Sequence, residues 1–291
     1  MSDAIQKRCA LITGCSEGSI GEALVKEFYT QGFHVFASSR NISTISKLAQ
    51  NGIDILCIDV TQLDSIRAAK SFIEQKTGGS LDILVNNAGI AYAAAASDMS
   101  MERIRQLYDV NLFGAMTMVQ EFLPLLLKSQ NARIINIASL AGLMPVPFNS
   151  GYNSSKAALL SYGDTLRVEL APFNIKVINI AAGNVESNIM KGSERELPRE
   201  SIYYPINENF RRDRIDHFQD GATPAAKFAQ TVVGEAQRTN PRAWVYTANN
   251  SWTVWIISTC MGRKGFDNIL SKMFGLKKLA TIVALSSADS K

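Results

Sequence analysis

Residues 9–32, CALITGCSEGSIGEALVKEFYTQG, run from a short apolar segment through Gly14, Gly18 and Gly21 into a stretch whose apolar positions recur every three or four residues. The first part reads as a buried strand and the last as a helix buried on one face. Gly14 lets the chain turn tightly off the strand, Gly18 lets backbone approach a pyrophosphate, and Gly21 lets the helix pack near the sheet. The helix N-terminus behind them supplies partial positive charge. The spacing is G-x-x-x-G-x-x-G and not the G-x-G-x-x-G dinucleotide fingerprint, so a nucleotide cradle and an ordinary strand-to-helix turn both stay open. Glu17 inside the turn adds a carboxylate that would repel phosphate.

The same alternation continues outward. Apolar runs at 34–39, 54–59, 82–89, 133–139 and 176–183 read as further buried strands, and 63–78, 101–129 and 150–173 as one-faced helices. Strands and helices in alternation imply parallel βαβ units and an α/β fold: a single doubly wound, Rossmann-like parallel sheet with helices on both faces. Such sheets bind ligands at the carboxyl ends of their strands. Residues 186–222 are polar and charged and carry Pro198 and Pro205; they are long for a structureless loop, so they form a functional lid or are partly helical.

Composition narrows the class further. The chain has 291 residues, 46% hydrophobic and 19% charged, with net charge +4, too mild to imply nucleic acid. Cys9, Cys15, Cys57 and Cys260 lack C-x-x-C spacing, so neither a metal site nor a disulfide framework is suggested. The apolar run near the N-terminus is shorter than a signal-peptide core, and a cytoplasmic setting is expected. With only His34 and His217, histidine base chemistry is not expected.

Further along, YNSSK places Tyr152 and Lys156 four residues apart, on one face of a helix. A nearby ammonium favours the phenolate of a tyrosine, which makes the pair a proton donor and acceptor, although a surface Tyr and Lys would look the same. Five motifs occur in order: TGCSEGSIG at the glycine turn, NNAG at 86–89, VNLFG with Asn111, IASLAG with Ser139, and YNSSK thirteen residues after that serine. Together they resemble the short-chain dehydrogenase/reductase family over residues 7–190, closest to its fungal acyl-dihydroxyacetone-phosphate reductase-like branch.

The resemblance implies roles for particular residues. Tyr152 would be the catalytic acid, Lys156 would lower its pKa and hold the nicotinamide ribose, Ser139 would steady the substrate oxygen, and Asn111 would anchor the proton supply. Gly14, Ser16, Gly18, Ile20 and Gly21 would line the cofactor, Asn87, Ala88 and Gly89 its adenine-side ribose, and Asp59 and Val60 its adenine. AAGNVES is similar to the family's P-G-x-x-x-T stretch, so Gly183, Val185 and Ser187 would meet the nicotinamide end; Ala182 replaces the usual proline and Ser187 the usual threonine. The glycine turn carries one residue more than the usual T-G-x-x-x-G-x-G, read here as a working, enlarged loop. Where NAD-dependent members end the second strand in an acid, this chain has Ser39 followed by Arg40, with Ser16 and Ser38 as further donors. That suits the 2′-phosphate of NADPH.

The expected activity is NADPH-dependent reduction of a ketone, acyl-dihydroxyacetone phosphate being one substrate. A fungal natural-product dehydrogenase or isomerase acting on a polycyclic ketone is the alternative, and a non-catalytic nucleotide-binding protein the third. The whole chain, 1–291, would be one domain: a 7–190 core, a 186–222 substrate loop with Tyr203, Tyr204, Arg211, Arg212 and Arg214, and a 245–291 extension. In that extension Arg263, Lys264, Lys272, Lys277 and Lys278 alternate with Phe266, Ile269, Leu270, Met273 and Phe274. The pattern suits an amphipathic helix on an endoplasmic-reticulum or lipid-droplet surface, and equally a helix closing a substrate pocket or a dimer interface. By family analogy a homodimer or homotetramer forms through 101–128 and 152–170.

Overall fold

The computed structural model describes residues 7–191 and 193–289; residues 1–6, the charged lead-in to the first strand, lie outside the described residues. The strands are β1 (Cys9–Ile12), β2 (His34–Ser39), β3 (Asp54–Cys57), β4 (Ile83–Asn86), β5 (Arg133–Ile137), β6 (Lys176–Ala182) and β7 (Trp244–Thr247). They form one parallel sheet in the order β3-β2-β1-β4-β5-β6-β7. The helices are α1 (Ile20–Thr30), α2 (Ser46–Ala49), α3 (Leu63–Thr77), α4 (Met101–Tyr108), α5 (Gly114–Leu126), α6 (Ser150–Leu170), α7 (Asn207–Phe210), α8 (Ala225–Gln237), α9 (Ser251–Cys260), α10 (Asp267–Met273) and α11 (Leu276–Asp289).

Side-chain alternation along each strand explains why both sheet faces are covered. In β1, Ala10 and Ile12 join one core with Leu24, Val25 and Phe28 of α1 and Phe228 and Val232 of α8. Cys9 and Leu11 join the opposite core with Ile66 and Ile73 of α3, Phe122 of α5 and Leu166 of α6. Strands buried on both faces read as unbroken apolar runs, which is why β1, β2, β4, β5 and β6 are legible; β3, with only Leu56 fully buried, is legible from its place in the alternation of strands and helices. The seventh, WVYT, is not. It is four residues long with only Val245 fully buried, and it follows the polar 186–222 segment, after which the alternation of strands and helices no longer marks it.

Polar side chains also hold the sheet. Asn86, Asn136 and Asn179 lie opposite one another on β4, β5 and β6. Asn86 Nδ2 donates to Asn136 Oδ1 at 3.0 Å, and Asn136 Nδ2 to Asn179 Oδ1 at 3.2 Å. Asn179 Nδ2 then donates to the Leu160 carbonyl of α6 at 3.1 Å, tying that helix to the sheet.

Two expectations change in detail. The helix read over 101–129 is interrupted by a π turn at Asp109–Phe113. Segment 186–222 is partly helical, with α7 running into a second π turn at Arg211–Asp216. A third core covers the β6 end of the sheet, where Phe148, Phe210, Phe266, Leu270 and Phe274 meet. The basic-apolar tail therefore turns Phe266, Leu270 and Phe274 inward, as a helix closing a pocket would, while Ile269 and Met273 stay exposed. Among the described residues no helix is long and apolar enough to cross a membrane.

Candidate active site

The glycine turn leaves β1 at the sheet's carboxyl edge, where the order reverses between β1 and β4. Gly14 and Gly18 have φ of 72° and 73°, which side chains rarely adopt. A Cβ on Gly14 would lie 2.8 Å from Ala88 Cα, and one on Gly18 would lie 2.4 Å from Asn188 Nδ2. Ser19 caps α1 by accepting from the Glu22 amide at 3.1 Å. The Glu22 carboxylate accepts from the Gly18 amide at 2.6 Å and pairs with Lys26. Glu17, the misplaced carboxylate of the sequence reading, is exposed and neutralised by Lys47 at 2.6 Å. Ile20 opens α1 and packs against its core.

Beside this turn, the hydroxyls of Ser16, Ser39 and Thr44 meet pairwise at 3.1 Å. Ser38 instead points its hydroxyl at the Ile12 carbonyl, 3.1 Å away, and is buried. Arg40 is exposed and in no ion pair among the described residues. At the end of β3, one oxygen of Asp59 is spent on the Thr61 amide and hydroxyl, 2.9 and 2.7 Å away. Val60 is buried against Gly114, where a Cβ would lie 2.7 Å from Val60 Cγ2. Asn87 donates to the Thr13 and Gly14 carbonyls at 2.7 and 3.1 Å, locking the end of β4 to the glycine turn.

The central group assembles from three elements. Asn111, buried on the first π turn, donates to the Ile90 carbonyl and accepts from the Ile90 amide, at 3.0 and 2.8 Å. Its Nδ2 also donates to Ser155 Oγ at 3.1 Å. Gly89 lies between Asn111 Oδ1 and Lys156 Nζ. Ser139 follows β5; its hydroxyl accepts from the Ala141 amide at 3.1 Å and lies on the Tyr152 side of the site. Lys156 donates to the Ile137 carbonyl at 2.9 Å, and its Nζ is 5.7 Å from the Tyr152 ring centre. Burial pulls the Lys156 ammonium down to about 8. Burial pushes the Tyr152 hydroxyl up to about 12, while the Ser139 hydroxyl and the charge of Arg214 pull the other way. Arg214 is thus a second cation on the Tyr152 side of the site besides Lys156.

After β6, a Cβ on Gly183 would lie 1.9 Å from the Asn249 carbonyl oxygen. Val185 is buried and bridges to Thr223. Ser187 is clamped at its backbone by the Gln219 side chain, at 3.3 and 2.8 Å. Asn188 donates to the Glu17 carbonyl at 3.0 Å, so this loop closes onto the glycine turn. A cleft of about 400 Å³ opens between Ser187, Met190 and Arg195 on one side and Ile215, Phe218 and Gln219 on the other. Asn188, Gln219 and Asn149 gave no sequence signal, because their partners lie up to 171 residues away.

Comparisons with known proteins give the family and the fold. Residues 8–198 match the short chain dehydrogenase family, and the chain belongs to that family of oxidoreductases. It is 38% identical over 271 residues to the short-chain dehydrogenase fogD of Aspergillus ruber, covering 93% of this chain and 94% of the relative. It is also 38% identical over 231 residues to the NADPH-dependent 1-acyldihydroxyacetone phosphate reductase of Schizosaccharomyces pombe, covering 75% and 78%. A short-chain dehydrogenase structure from Streptomyces avermitilis shares the fold with a TM-score of 0.76 at 21% identity, over 94% of this chain and 97% of that one.

Proposed function

We propose that this chain reduces a ketone to a secondary alcohol with NADPH. The observation that carries the reading is the convergence of Asn111, Ser139, Tyr152 and Lys156 beside a glycine turn at one edge of the sheet. The residues present fit the cofactor. Gly14 and Gly18 hold the positive φ that a tight turn ahead of a helix N-terminus requires, and Arg40, exposed where β2 ends without an acid, suits a 2′-phosphate. The Schizosaccharomyces pombe relative, NADPH-dependent by name, supports the same choice.

When bound, NADPH brings the hydride that the carbonyl carbon accepts. Tyr152, held protonated by its surroundings, gives its proton to the carbonyl oxygen. Ser139 hydrogen-bonds that oxygen as charge develops on it. Lys156, tethered to the Ile137 carbonyl, would hold the nicotinamide ribose, and Asn111 fixes the Ile90 backbone near Gly89. Gly183, Val185 and Ser187 would hold the nicotinamide end, Asn87, Ala88 and Gly89 the adenine-side ribose, and Asp59 and Val60 the adenine. Segment 186–222 serves as the substrate loop of a single domain, and the 245–291 extension closes its far side.

Acyl-dihydroxyacetone phosphate is the substrate favoured by the Schizosaccharomyces pombe relative. A polycyclic ketone is the second reading, supported by Tyr203 and Tyr204, partly buried beside Phe148. The exposed Trp252, Trp255 and Ile256 of α9 support peripheral contact with a lipid surface, such as the endoplasmic reticulum or a lipid droplet, from the cytoplasmic side. The exposed Phe113, Val168 and Phe173 support homo-oligomerisation through the α5–α6 side.

The test is NADPH oxidation with acyl-dihydroxyacetone phosphate, run beside NADH. Tyr152→Phe is expected to lower kcat by roughly 10²–10⁴ while leaving NADPH affinity within a few fold. Arg40→Ser is expected to raise KM for NADPH about tenfold or more and to spare NADH. Undiminished turnover by Tyr152→Phe would sink the catalytic reading. Substrate conversion without net NADPH consumption would assign the site to isomerisation.

A further inference from the structure

Three arginines stand close together in the second π turn, and the fold treats them differently. Arg211 and Arg212 are exposed and face Asp216 at 3.6 Å and Asp213 at 2.7 Å. Arg214 is 4% exposed and reaches no carboxylate among the described residues. Its Nη2 donates to Asn149 Oδ1 at 2.6 Å, its Nε is buried without a hydrogen-bond partner among the described residues, and the Phe218 ring centre lies 5.1 Å from its guanidinium carbon. A guanidinium removed from water without a counter-charge is costly, so its retention asks what completes it.

Its surroundings narrow the answer. Asn149 immediately precedes α6, the helix that carries Tyr152 and Lys156. It makes no side-chain cap there, and the first turn of α6 holds no acidic residue. The positive end of the helix and the Arg214 charge therefore lie on the Tyr152 side of the fold without compensation. Phe148, one residue earlier, has φ of 58° and packs against Phe210, directly ahead of the π turn that carries Arg214. Backbone strain at Phe148 and a π turn at Arg214 are both features that a fold keeps where side-chain direction matters.

The geometry points to Arg214 as the residue that grips an oxyanion of the substrate, carried a few bonds from the carbonyl that Tyr152 serves. The planar fork of a guanidinium suits a phosphate, carboxylate or phenolate oxygen. The position of that oxyanion relative to a carbonyl rests on the reductase reading; the anion site itself does not.

The test separates the two. Calorimetry on the full chain would compare phenyl phosphate, benzoate and neutral benzamide. The wild type is expected to bind at least one anion tenfold or more tighter than benzamide, and Arg214→Gln to abolish that difference. Arg214→Lys, which keeps the charge but loses the fork, is expected to fall between them. A tighter phenyl phosphate would indicate a phosphate monoester substrate, and a tighter benzoate a carboxylate or phenolate. Unchanged NADPH binding by Arg214→Gln verifies that the variant is folded; if it is not, Arg214→Lys and the wild-type selectivity decide. Equal binding of all three probes by the wild type, or anion preference surviving in Arg214→Gln, would overturn the inference. Anion selectivity without ketone reduction would leave the Arg214 site standing and remove the reductase reading.

Discussion

Lys156 is 4% exposed, and its ammonium has been matched to a single carbonyl, that of Ile137, in place of bulk water. Burial holds it near 8, below the ordinary 10.5. Between those values the unfolded chain carries a proton that the folded chain has released, so unfolding takes up a proton and stability rises with pH. This contribution is present above about 10.5 and is lost as pH falls through about 8. Tyr152, raised from 10.0 to about 12, acts in the opposite sense but only above the window used here. From pH 8 to 9.5 the wild type is expected to gain about 1.5 kcal/mol relative to Lys156→Met. Urea unfolding of both proteins at the two pH values checks this. Parallel curves would mean that the ammonium is solvated after all.

At the level of elements, α6 carries Tyr152 and Lys156 and must lie close against the sheet to present them. Gly163 makes that approach feasible. A Cβ there would fall 2.1 Å from Asn179 Oδ1 and 2.8 Å from Asn136 Nδ2, inside the asparagine ladder. Gly234 in α8 meets nothing within 4 Å. Alanine at each position therefore tests packing against intrinsic helix preference. Gly163→Ala is expected to destabilise by about 1–3 kcal/mol through overpacking. Gly234→Ala is expected to stabilise by about 0.5–1 kcal/mol, because alanine is the better helix former. Denaturant midpoints of the pair decide, and a shift of equal sign at both positions would contradict the close packing of α6.

Across the whole molecule, the C-terminal extension divides its apolar residues between two faces. Phe266, Leu270 and Phe274 close the third core around Phe148 and Phe210. Trp252, 73% exposed, stands with Trp255, Ile256 and Met261 on the outer side, next to the exposed Arg263 and Lys264. An aromatic ridge flanked by cations is suited to the headgroup boundary of an anionic bilayer. The double variant Trp252→Ser, Trp255→Ser is expected to lose most of its flotation with vesicles containing phosphatidylserine and to keep its unfolding midpoint. Equal flotation of both proteins would reassign this face.

The sequence by itself determined the fold class and the places of the first six strands along the chain, because covered strands are apolar over most of their length and alternate with one-faced helices. It also determined the glycine turn and the Tyr152–Lys156 pair, since a positive φ and an i,i+4 face are properties of neighbouring residues. Strand β7 escaped because its four residues, one of them fully buried, follow the polar 186–222 segment, where the alternation that marks the other strands is lost. The split helix escaped because a π turn uses the same residue types as an α-helix. Nor could local spacing separate Arg214 from Arg211 and Arg212: all three are arginines in a polar run, and only the packing of Phe148, Phe210 and Asn149 makes one of them buried. That choice, like the closure of Asn188 over the glycine turn and the inward face of the tail, depends on residues that meet across 65 to 171 positions of chain. Only the tertiary structure decided it, because burial and counter-charge are properties of the assembled neighbourhood and not of any stretch of sequence.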